Sequence, residues 1–283
     1  MKIPFFLLFG ILAYFNSVGQ KMQIYGHRGC RGLFPENTIA GFEKAIQLGS
    51  DGIEWDVVVN KENKLIISHE PYIDTSYCQY NNGEKINNKS EIDLNIYSMA
   101  QQEIEQFDCG SIFQPKFPNQ ALVKSVKPTV KFALEIIEKY NPTILFEIKS
   151  SEKFYEKFQP NPKEYAQIIK KETENYTYLK QIIFMSFDKN IINELYKIMP
   201  EMRYVYLIEK PKFLLSSYIN EINFKPYAVG MYHRLINSRT IKYYHKEDIR
   251  VFAWTVNQQE KGMYFKKIKL DGLITDYPNL FIE

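Results

Sequence analysis

The stretch YGHRGCRGLFPENTIAGFEKAIQLGSDGIEWDVVV, residues 25–59, contains the first repeat of a pattern that continues along the chain. It predicts a strand that ends in His-Arg-Gly, then an amphipathic helix, then a second strand. Buried strands are normally continuous runs of Val, Ile and Leu. The second strand instead carries Glu54 and Asp56, and residues two apart on a strand share one face. Two carboxylates on a buried face are costly unless something neutralises them, so the stretch also predicts a functional site.

The same alternation of strand and helix continues along the chain. Strand-like runs are QIYGH, GIEWDVVV, TILFEIK, QIIFMSF, RYVYLIE, YAVGMYH, RVFAWTVN and GLITDYP, and helical runs include ENTIAGFEKAIQLG, PTVKFALEIIEKY, KEYAQIIKKETE, NIINELYKIM and SRTIKYYHKED. We expect the first helix to begin near Glu36 or Asn37 and to end before Gly49. Eight such repeats predict a (βα)₈ TIM barrel over residues 20–283. An open doubly wound sheet is the alternative, but it would not need eight near-regular repeats.

One long segment, residues 71–127, interrupts this rhythm. It is rich in Asn, Ser, Lys and Pro and follows the run IISHE. A long loop inside a compact domain usually has a function, so we expect a lid or a substrate-shaping insertion over the catalytic face. Cys78 and Cys109 lie in this segment and could form a disulfide, whereas Cys30 is expected to stay unpaired.

The N-terminus has the anatomy of a signal peptide. Lys2 precedes the apolar run IPFFLLFGILAYF, and small residues follow at Ser17 and Gly19. We therefore expect residues 1–19 to be removed and the protein to be exported, either periplasmic or secreted, without a stable membrane anchor. The alternative is an uncleaved anchor.

The overall charge gives no support for a nucleic-acid partner. The chain has 36 Lys and Arg against 33 Asp and Glu. Nucleic-acid binding would require a concentrated basic face, so no nucleic-acid partner is expected. The oligomeric state is left open by the sequence.

Carboxylates recur on a second strand. In LFEIKS, Glu147 and Lys149 share a face, as Glu54 and Asp56 do earlier. Three carboxylates that converge at the ends of neighbouring barrel strands cannot all stay ionised without a cation. Oxygen ligands favour one Ca²⁺ or Mg²⁺ ion. The competing interpretation is that each pair is a solvated strand end or a local ion pair with Lys149.

Two of the four histidines follow strand-like runs. His27 comes after QIYG and His69 after LIIS. A lone histidine at such a place is usually only hydrogen-bonded, but two beside a carboxylate cluster predict an acid–base pair. Arg28 and Lys149 add positive charge that suits a phosphate oxygen.

Taken together, the motifs resemble the glycerophosphodiester phosphodiesterase family of (βα)₈ barrels. The matching pieces are GHRG, PENT, GIEWDV, IISHE, LFEIK, SF, AWTVN and DGLITDYP, in the order of the family from residue 23 to 283. The resemblance implies that Glu54, Asp56 and Glu147 are metal ligands. It also implies that His27 and His69 form the acid–base pair.

The resemblance assigns the substrate-facing residues too. Arg28 and Lys149 would hold the phosphate, Trp254 would line the pocket, and Asn37 would support the loop that carries the site. The family usually has His-Asp where this chain has His69-Glu70, and it commonly has an Arg that HEPYIDTSY lacks. Glu70 is one methylene longer than Asp, so its hydrogen bond must be aimed differently.

The implied activity is metal-dependent hydrolysis of a small phosphodiester to glycerol 3-phosphate and an alcohol. A barrel of the same fold that acts on lysophospholipids or another phosphodiester is the first alternative. A non-catalytic barrel that binds a phosphorylated ligand is the second, and it predicts the loss of a ligand carboxylate or a histidine. None of the five is lost.

Overall fold

The computed structural model describes residues 21–176 and 179–282. The predicted signal peptide, residues 1–19, lies outside these ranges. Within them, no helix is both long enough and apolar enough to cross a membrane.

A closed barrel of parallel strands forms the centre of the molecule. The described chain contains strands β1 (Gln23–Gly26), β2 (Gly52–Val59), β3 (Leu65–Ile67), β4 (Gln79–Tyr80), β5 (Phe107–Asp108), β6 (Thr143–Ile148), β7 (Ile182–Ser186), β8 (Arg203–Ile208), β9 (Ala228–Tyr232), β10 (Arg250–Trp254) and β11 (Gly272–Thr275). The barrel runs in the order β1-β2-β6-β7-β8-β9-β10-β11, and β11 pairs with β1 to close it. The predicted TIM barrel is therefore confirmed, with active-site groups expected at the carboxyl ends of its strands.

Helices surround the barrel. They are α1 (Ile39–Gln47), α2 (Gln101–Ile104), α3 (Val130–Ile137), α4 (Pro162–Thr173), α5 (Lys189–Ile198), α6 (Ser216–Ile219), α7 (Ser238–Lys246) and α8 (Gln259–Lys267). Short 3₁₀ turns cover Ile96–Ser98, Glu138–Tyr140, Glu152–Phe154, Leu179–Gln181, His233–Leu235 and Pro278–Leu280.

The start of α1 differs from the sequence expectation. The N-cap is Thr38, whose Oγ1 accepts a hydrogen bond from the Gly41 amide at 3.1 Å, and neither Glu36 nor Asn37 caps the helix. Asn37 has a φ of 56°, and its side chain contacts the site instead. Gly49 follows the helix with a φ of 91°, as expected for a residue beyond the C-terminus.

The alternation within β2 separates two apolar layers. Trp55 is fully buried between barrel and helices, with its ring 5.3 Å from Phe42 and 6.0 Å from Phe146. Leu145 points the other way, into a smaller apolar cluster inside the barrel with Tyr25 and others. Glu54 and Asp56 also face the interior, because they have the opposite parity to Trp55. A fully apolar outer face therefore fixes the direction of the two carboxylates.

Residues 71–127 form a packed insertion and not an open loop. The strand β3 returns antiparallel along β2, and the insertion follows it. Strands β4 and β5 pair within the insertion, where Cys78 and Cys109 are joined by a disulfide and Cys30 is free and buried. Ile73, Leu94, Ile96, Ile104 and neighbouring residues pack against Val58 and Ile66 of the barrel side.

The insertion also packs on the loop after β1. Gln120 Nε2 donates to the Arg31 carbonyl at 2.6 Å, and the Ala121 amide donates to the Leu33 carbonyl at 2.8 Å. The Arg31 guanidinium lies 5.2 Å from the ring centroid of Phe117. The insertion is thus fastened to the segment that carries the His-Arg-Gly motif.

Candidate active site

Three carboxylates meet where β2 and β6 end. In the parallel pairing of these strands Asp56 lies opposite Glu147, and Glu54 lies one inward-facing position earlier. Ligand oxygens from Glu54, Asp56 and Glu147 all lie within 4.8 Å of one another, and all three residues are buried. Among the described residues this is the one such group able to hold a metal ion. The structure therefore brings together the three residues that the sequence predicted as ligands.

The electrostatics of this cluster fit a cation. Burial, reinforced by the charges of Asp56 and Glu147, raises the pKa of Glu54 well above its usual range. For Asp56 burial acts in the same direction, but the charges of Arg28, His69 and Lys149 outweigh it and hold the pKa of the carboxyl below its usual range. Glu54 Oε1 and Asp56 Oδ1 are buried without a hydrogen-bond partner. Carboxylate oxygens that are not used in hydrogen bonds are the ligands that Ca²⁺ and Mg²⁺ take.

Asn37 supports the cluster from the loop before α1. Its Nδ2 donates to Asp56 Oδ2 at 2.9 Å, and its Oδ1 accepts from the Asp56 amide at 3.2 Å. The left-handed backbone of Asn37 directs the side chain toward β2, a conformation that Asn tolerates better than most residues. Both contacts hold the Asp56 carboxylate in one orientation.

Arg28 and Lys149 supply positive charge on either side of Asp56. Arg28 Nε lies 3.2 Å from Asp56 Oδ2, and its Nη1 donates to Glu36 Oε1 at 2.7 Å. Lys149 Nζ lies 3.5 Å from Asp56 Oδ1 and 2.5 Å from Glu147 Oε1. Neither side chain donates a hydrogen bond to Glu54 Oε1, which stays without a partner within the cluster.

His27 is held by a carboxylate from the last strand of the barrel. Its Nδ1 lies 2.6 Å from Asp276 Oδ1, and its Nε2 lies 3.9 Å from Glu54 Oε2. Arg31 Nε donates to Asp276 Oδ1 at 2.7 Å and Asn257 Nδ2 donates to Oδ2 at 2.6 Å. Burial lowers the pKa of His27 to about 4, against the opposing effect of Asp276.

His69 is held in the same way by its chain neighbour. Its Nδ1 lies 2.6 Å from Glu70 Oε1, so the longer glutamate still reaches the ring. Tyr77 of the insertion donates its hydroxyl to Glu70 Oε2 at 2.7 Å. Burial raises the pKa of Glu70, but hydrogen bonds and charge from His69, with Lys127 and Tyr77, shift it below its usual range.

The two imidazoles share one arrangement. An ionised carboxylate can only accept, so each Nδ1 that faces one carries the hydrogen. The other nitrogen, Nε2, is then left to exchange a proton with a bound molecule. Both histidines line the same cavity, which makes them suited to paired proton transfer.

This cavity has a volume of about 300 Å³. The predicted residues that line it are His27, Arg28, Glu54, His69, Glu147, Lys149 and Trp254, and they are joined by Arg31, Met185, Phe187, Leu207, Glu209, Thr255 and Ile274. The rings of Phe187 and Trp254 meet edge to face at 5.2 Å and form an apolar wall. Asp56, Asn37 and Glu70 support the cavity from behind its surface.

A larger cavity, of about 660 Å³, lies at the opposite end of the barrel. It is lined by the starts of barrel strands and contains a third histidine–carboxylate pair, with His245 Nε2 2.7 Å from Asp271 Oδ2. Among the described residues, no cluster of three metal-ligating side chains is found there. The chemistry therefore belongs to the smaller cavity.

Sequence reasoning missed several residues of the site. Asp276 belongs to the motif DGLITDYP, but no role was predicted for it. Its position directly after the last strand could have indicated one, because the carboxyl ends of barrel strands carry functional groups. Tyr77 lies in the insertion and Phe187 follows β7, and no local pattern connects either of them to His69 or Trp254.

Comparison with known proteins agrees with this geometry. The sequence profile described as the glycerophosphoryl diester phosphodiesterase family matches residues 27–280. The chain belongs to this family. It is therefore a phosphodiesterase that has the family's barrel and an acidic cluster able to hold a metal ion.

Similar proteins align with this chain over nearly its whole length. A glycerophosphodiester phosphodiesterase of Caldanaerobacter subterraneus is 26% identical over 263 residues, which cover 93% of this chain and 97% of the relative. A crystal structure from Silicibacter pomeroyi superposes with a TM-score of 0.83 at 22% identity and 92% coverage of both chains. An Oleispira antarctica phosphodiesterase, solved with the product sn-glycerol-3-phosphate, has a TM-score of 0.73 at 21% identity and covers 92% of this chain and 94% of its own. These two structures show the shared fold.

Proposed function

We propose that this protein hydrolyses glycerophosphodiesters to glycerol 3-phosphate and an alcohol, with the help of one bound Ca²⁺ or Mg²⁺ ion. The observation that carries the proposal is that two carboxylate-held imidazoles line one cavity together with Glu54 and Glu147 of a buried three-carboxylate cluster. The family match and the glycerol-3-phosphate complex of the Oleispira protein support the choice of substrate.

Glu54, Asp56 and Glu147 would hold the cation, and the two buried oxygens among them that lack a hydrogen bond support this assignment. When bound, such an ion polarises a phosphoryl oxygen and lowers the pKa of the attacking hydroxyl. The hydrogen bonds from Asn37 to Asp56 and from the Arg28 amide to Glu54 at 2.8 Å keep the carboxylates in place.

His27 and His69 would transfer the protons. One histidine, with a free Nε2, would remove the proton from the nucleophile, which is water or the neighbouring hydroxyl of the substrate. The other would begin as the imidazolium and donate its Nε2 proton to the leaving alcohol. Asp276 and Glu70 each accept the hydrogen on Nδ1 of their histidine, so that Nε2 is the nitrogen that reacts in both rings.

Arg28 and Lys149 would bind the phosphate, since both line the cavity beside the carboxylates. Their positive charge favours the additional negative charge that develops on the phosphoryl oxygens in the transition state. Trp254 and Phe187 would contact the glycerol or head-group carbons through their apolar wall.

The direct test is hydrolysis of glycerophosphocholine by the purified protein. We expect release of glycerol 3-phosphate, loss of this activity after treatment with a chelator, and recovery on addition of Ca²⁺ or Mg²⁺. Elemental analysis of the protein before chelation identifies the ion. Activity that survives complete removal of divalent ions would contradict the proposal.

A competing substrate class is lysophospholipids. The insertion exposes Ile92, Phe113, Leu122 and Val126, which would suit an acyl chain if they lay along its path. Assaying lysophosphatidylcholine beside glycerophosphocholine separates the two, and a much higher kcat/KM for the lipid would replace our first choice. Binding of phosphodiesters without turnover would favour a non-catalytic barrel.

We also propose that the protein is exported. The Cys78–Cys109 disulfide supports this, because such bonds persist mainly in oxidising compartments. We expect the mature protein, expressed in a host that secretes it, to begin near residue 20. Mass spectrometry of the intact protein tests this, and a mature chain that retains Met1 would refute cleavage.

A further inference from the structure

The insertion contributes a side chain that supports one of the two proposed acid–base histidines. Tyr77 lies in the insertion, directly before Cys78, and donates its hydroxyl to Glu70 Oε2 at 2.7 Å. The other Glu70 oxygen faces His69 Nδ1 at 2.6 Å. Each oxygen of this carboxylate therefore has one defined partner, and the two partners come from different parts of the fold.

The glutamate itself explains why a second contact is needed. Glu has one more rotatable bond than Asp, so a single hydrogen bond to His69 leaves its carboxylate freer to swing. The contact from Tyr77 removes that freedom because it fixes the second oxygen. The orientation of Nδ1–H, and with it the direction of Nε2, then depends on Tyr77.

Tyr77 is itself held firmly. The buried Lys127 donates from Nζ to the Tyr77 hydroxyl at 3.3 Å, and the same Nζ lies 5.1 Å from the ring centroid. A cation that donates to the phenol oxygen strengthens the bond that the phenol donates in turn. On the other side, Cys78 is buried and bonded to Cys109, which anchors the adjacent backbone to β5 and its neighbours.

We propose that Tyr77 is a positioning residue that orients His69 through Glu70, and that the insertion thereby completes the active site. Neither Tyr77 nor Glu70 lines the cavity, whereas His69 does. Tyr77 therefore acts on the reaction through the imidazole and not by contact with the substrate. The expected kinetic effect rests on the proposed function, whereas the hydrogen bond between Tyr77 and Glu70 is independent of it.

Tyr77→Phe is the variant that tests it, because only the hydroxyl is removed. We expect kcat on glycerophosphocholine to fall roughly 10-fold, at the lower end of the effect of such supporting partners, with KM unchanged. Tyr80→Phe is the matched control: this ring belongs to the same insertion and stacks on Phe107, and its kcat should equal that of the wild type. A rise in KM without a change in kcat would overturn the proposal, because it would make Tyr77 a substrate-binding residue.

A double-mutant cycle identifies the route. In a Glu70→Ala background, Tyr77→Phe should cause no further loss of kcat, because the residue through which it acts is gone. The same fractional loss in both backgrounds would refute the route through Glu70. If the wild type does not hydrolyse glycerophosphocholine, the proposed function fails, but the next measurement still decides the inference.

That measurement is the NMR spectrum of the imidazole nitrogens, in which the His69 signals are identified by their loss in His69→Ala. We expect the Nδ1-bound hydrogen of His69 to be protected from exchange in the wild type and in Tyr80→Phe, and to exchange faster in Tyr77→Phe. Identical His69 signals in wild type and Tyr77→Phe would overturn the proposal whatever the protein hydrolyses.

Discussion

Replacing Glu54 with Gln is expected to abolish cation binding at the carboxylate cluster and to lower kcat/KM by about 1000-fold or more. The physical reason is the loss of a ligand charge, which removes several kcal/mol of stabilisation of the developing phosphoryl charge. Glutamine keeps an oxygen that can accept from the Arg28 amide at the position where Glu54 accepts at 2.8 Å. The change is therefore one of charge and not of packing.

The same variant should not destabilise the metal-free protein. Burial and the neighbouring carboxylates raise the folded-state pKa of Glu54 above its unfolded value. A carboxyl of this kind costs stability once the pH exceeds the unfolded pKa of about 4.3, so at neutral pH its removal is neutral or favourable. Thermal unfolding in chelator should give a Tm at or above that of the wild type, whereas added Ca²⁺ or Mg²⁺ should raise the Tm of the wild type only.

The matched control is Asp271→Asn, which removes a buried carboxylate at the opposite end of the barrel. It should keep the Tm increase that the cation produces, although its starting Tm can be lower because Asp271 accepts from the Val251 amide. Retention of cation-induced stabilisation in Glu54→Gln would show that the ion, if any, binds elsewhere.

Replacing His27 with Ala is the second large effect, with an expected loss of about 100-fold to 10,000-fold in kcat. His27 is the imidazole whose Nδ1 is held by Asp276 at 2.6 Å and whose Nε2 is directed toward the carboxylate cluster. Because the phosphate would be held by Arg28 and Lys149, KM should change little. Steady-state kinetics on glycerophosphocholine give both constants.

His245→Ala provides the control for this variant, since it removes the same side chain from a similar pair. His245 contacts Asp271 at 2.7 Å in the cavity at the other end of the barrel, and its loss should leave kcat unchanged. A His27→Ala enzyme that keeps more than a tenth of the wild-type rate would refute the assigned role. A p-nitrophenyl leaving group adds information: if it restores most of the rate of His27→Ala, His27 is the general acid, and otherwise it is the base.

Much of the barrel was predictable because the relevant signals are local. Each strand-like run and the long helices between them reappear in the structure, with boundaries that differ by a few residues. The helix start is the instructive exception. Asn37 is as good an N-cap as Thr38 in sequence terms, but it is bound to Asp56 in a left-handed conformation, so the cap falls on Thr38.

The insertion shows where composition misleads. Its Asn, Ser, Lys and Pro content predicts an irregular loop, yet Ile73, Leu94 and Ile104 with others pack into a small core around a disulfide. These apolar residues are too widely spaced to form a helical or strand period. They form a cluster only in the folded protein, where they pack against Val58 and Ile66 on the outside of the barrel.

Sequence alone was enough to predict that Glu54, Asp56 and Glu147 share the inner face of neighbouring strands, because side-chain alternation has a strict period of two and a parallel barrel aligns its strand ends. It also placed His27 and His69 beside them. The partners that hold each imidazole are visible only once the chain is folded. Asp276 lies 249 residues from His27 and reaches it because β11 closes the barrel against β1. Tyr77 reaches Glu70 because the insertion folds back onto the strand ends, a contact that no local pattern encodes.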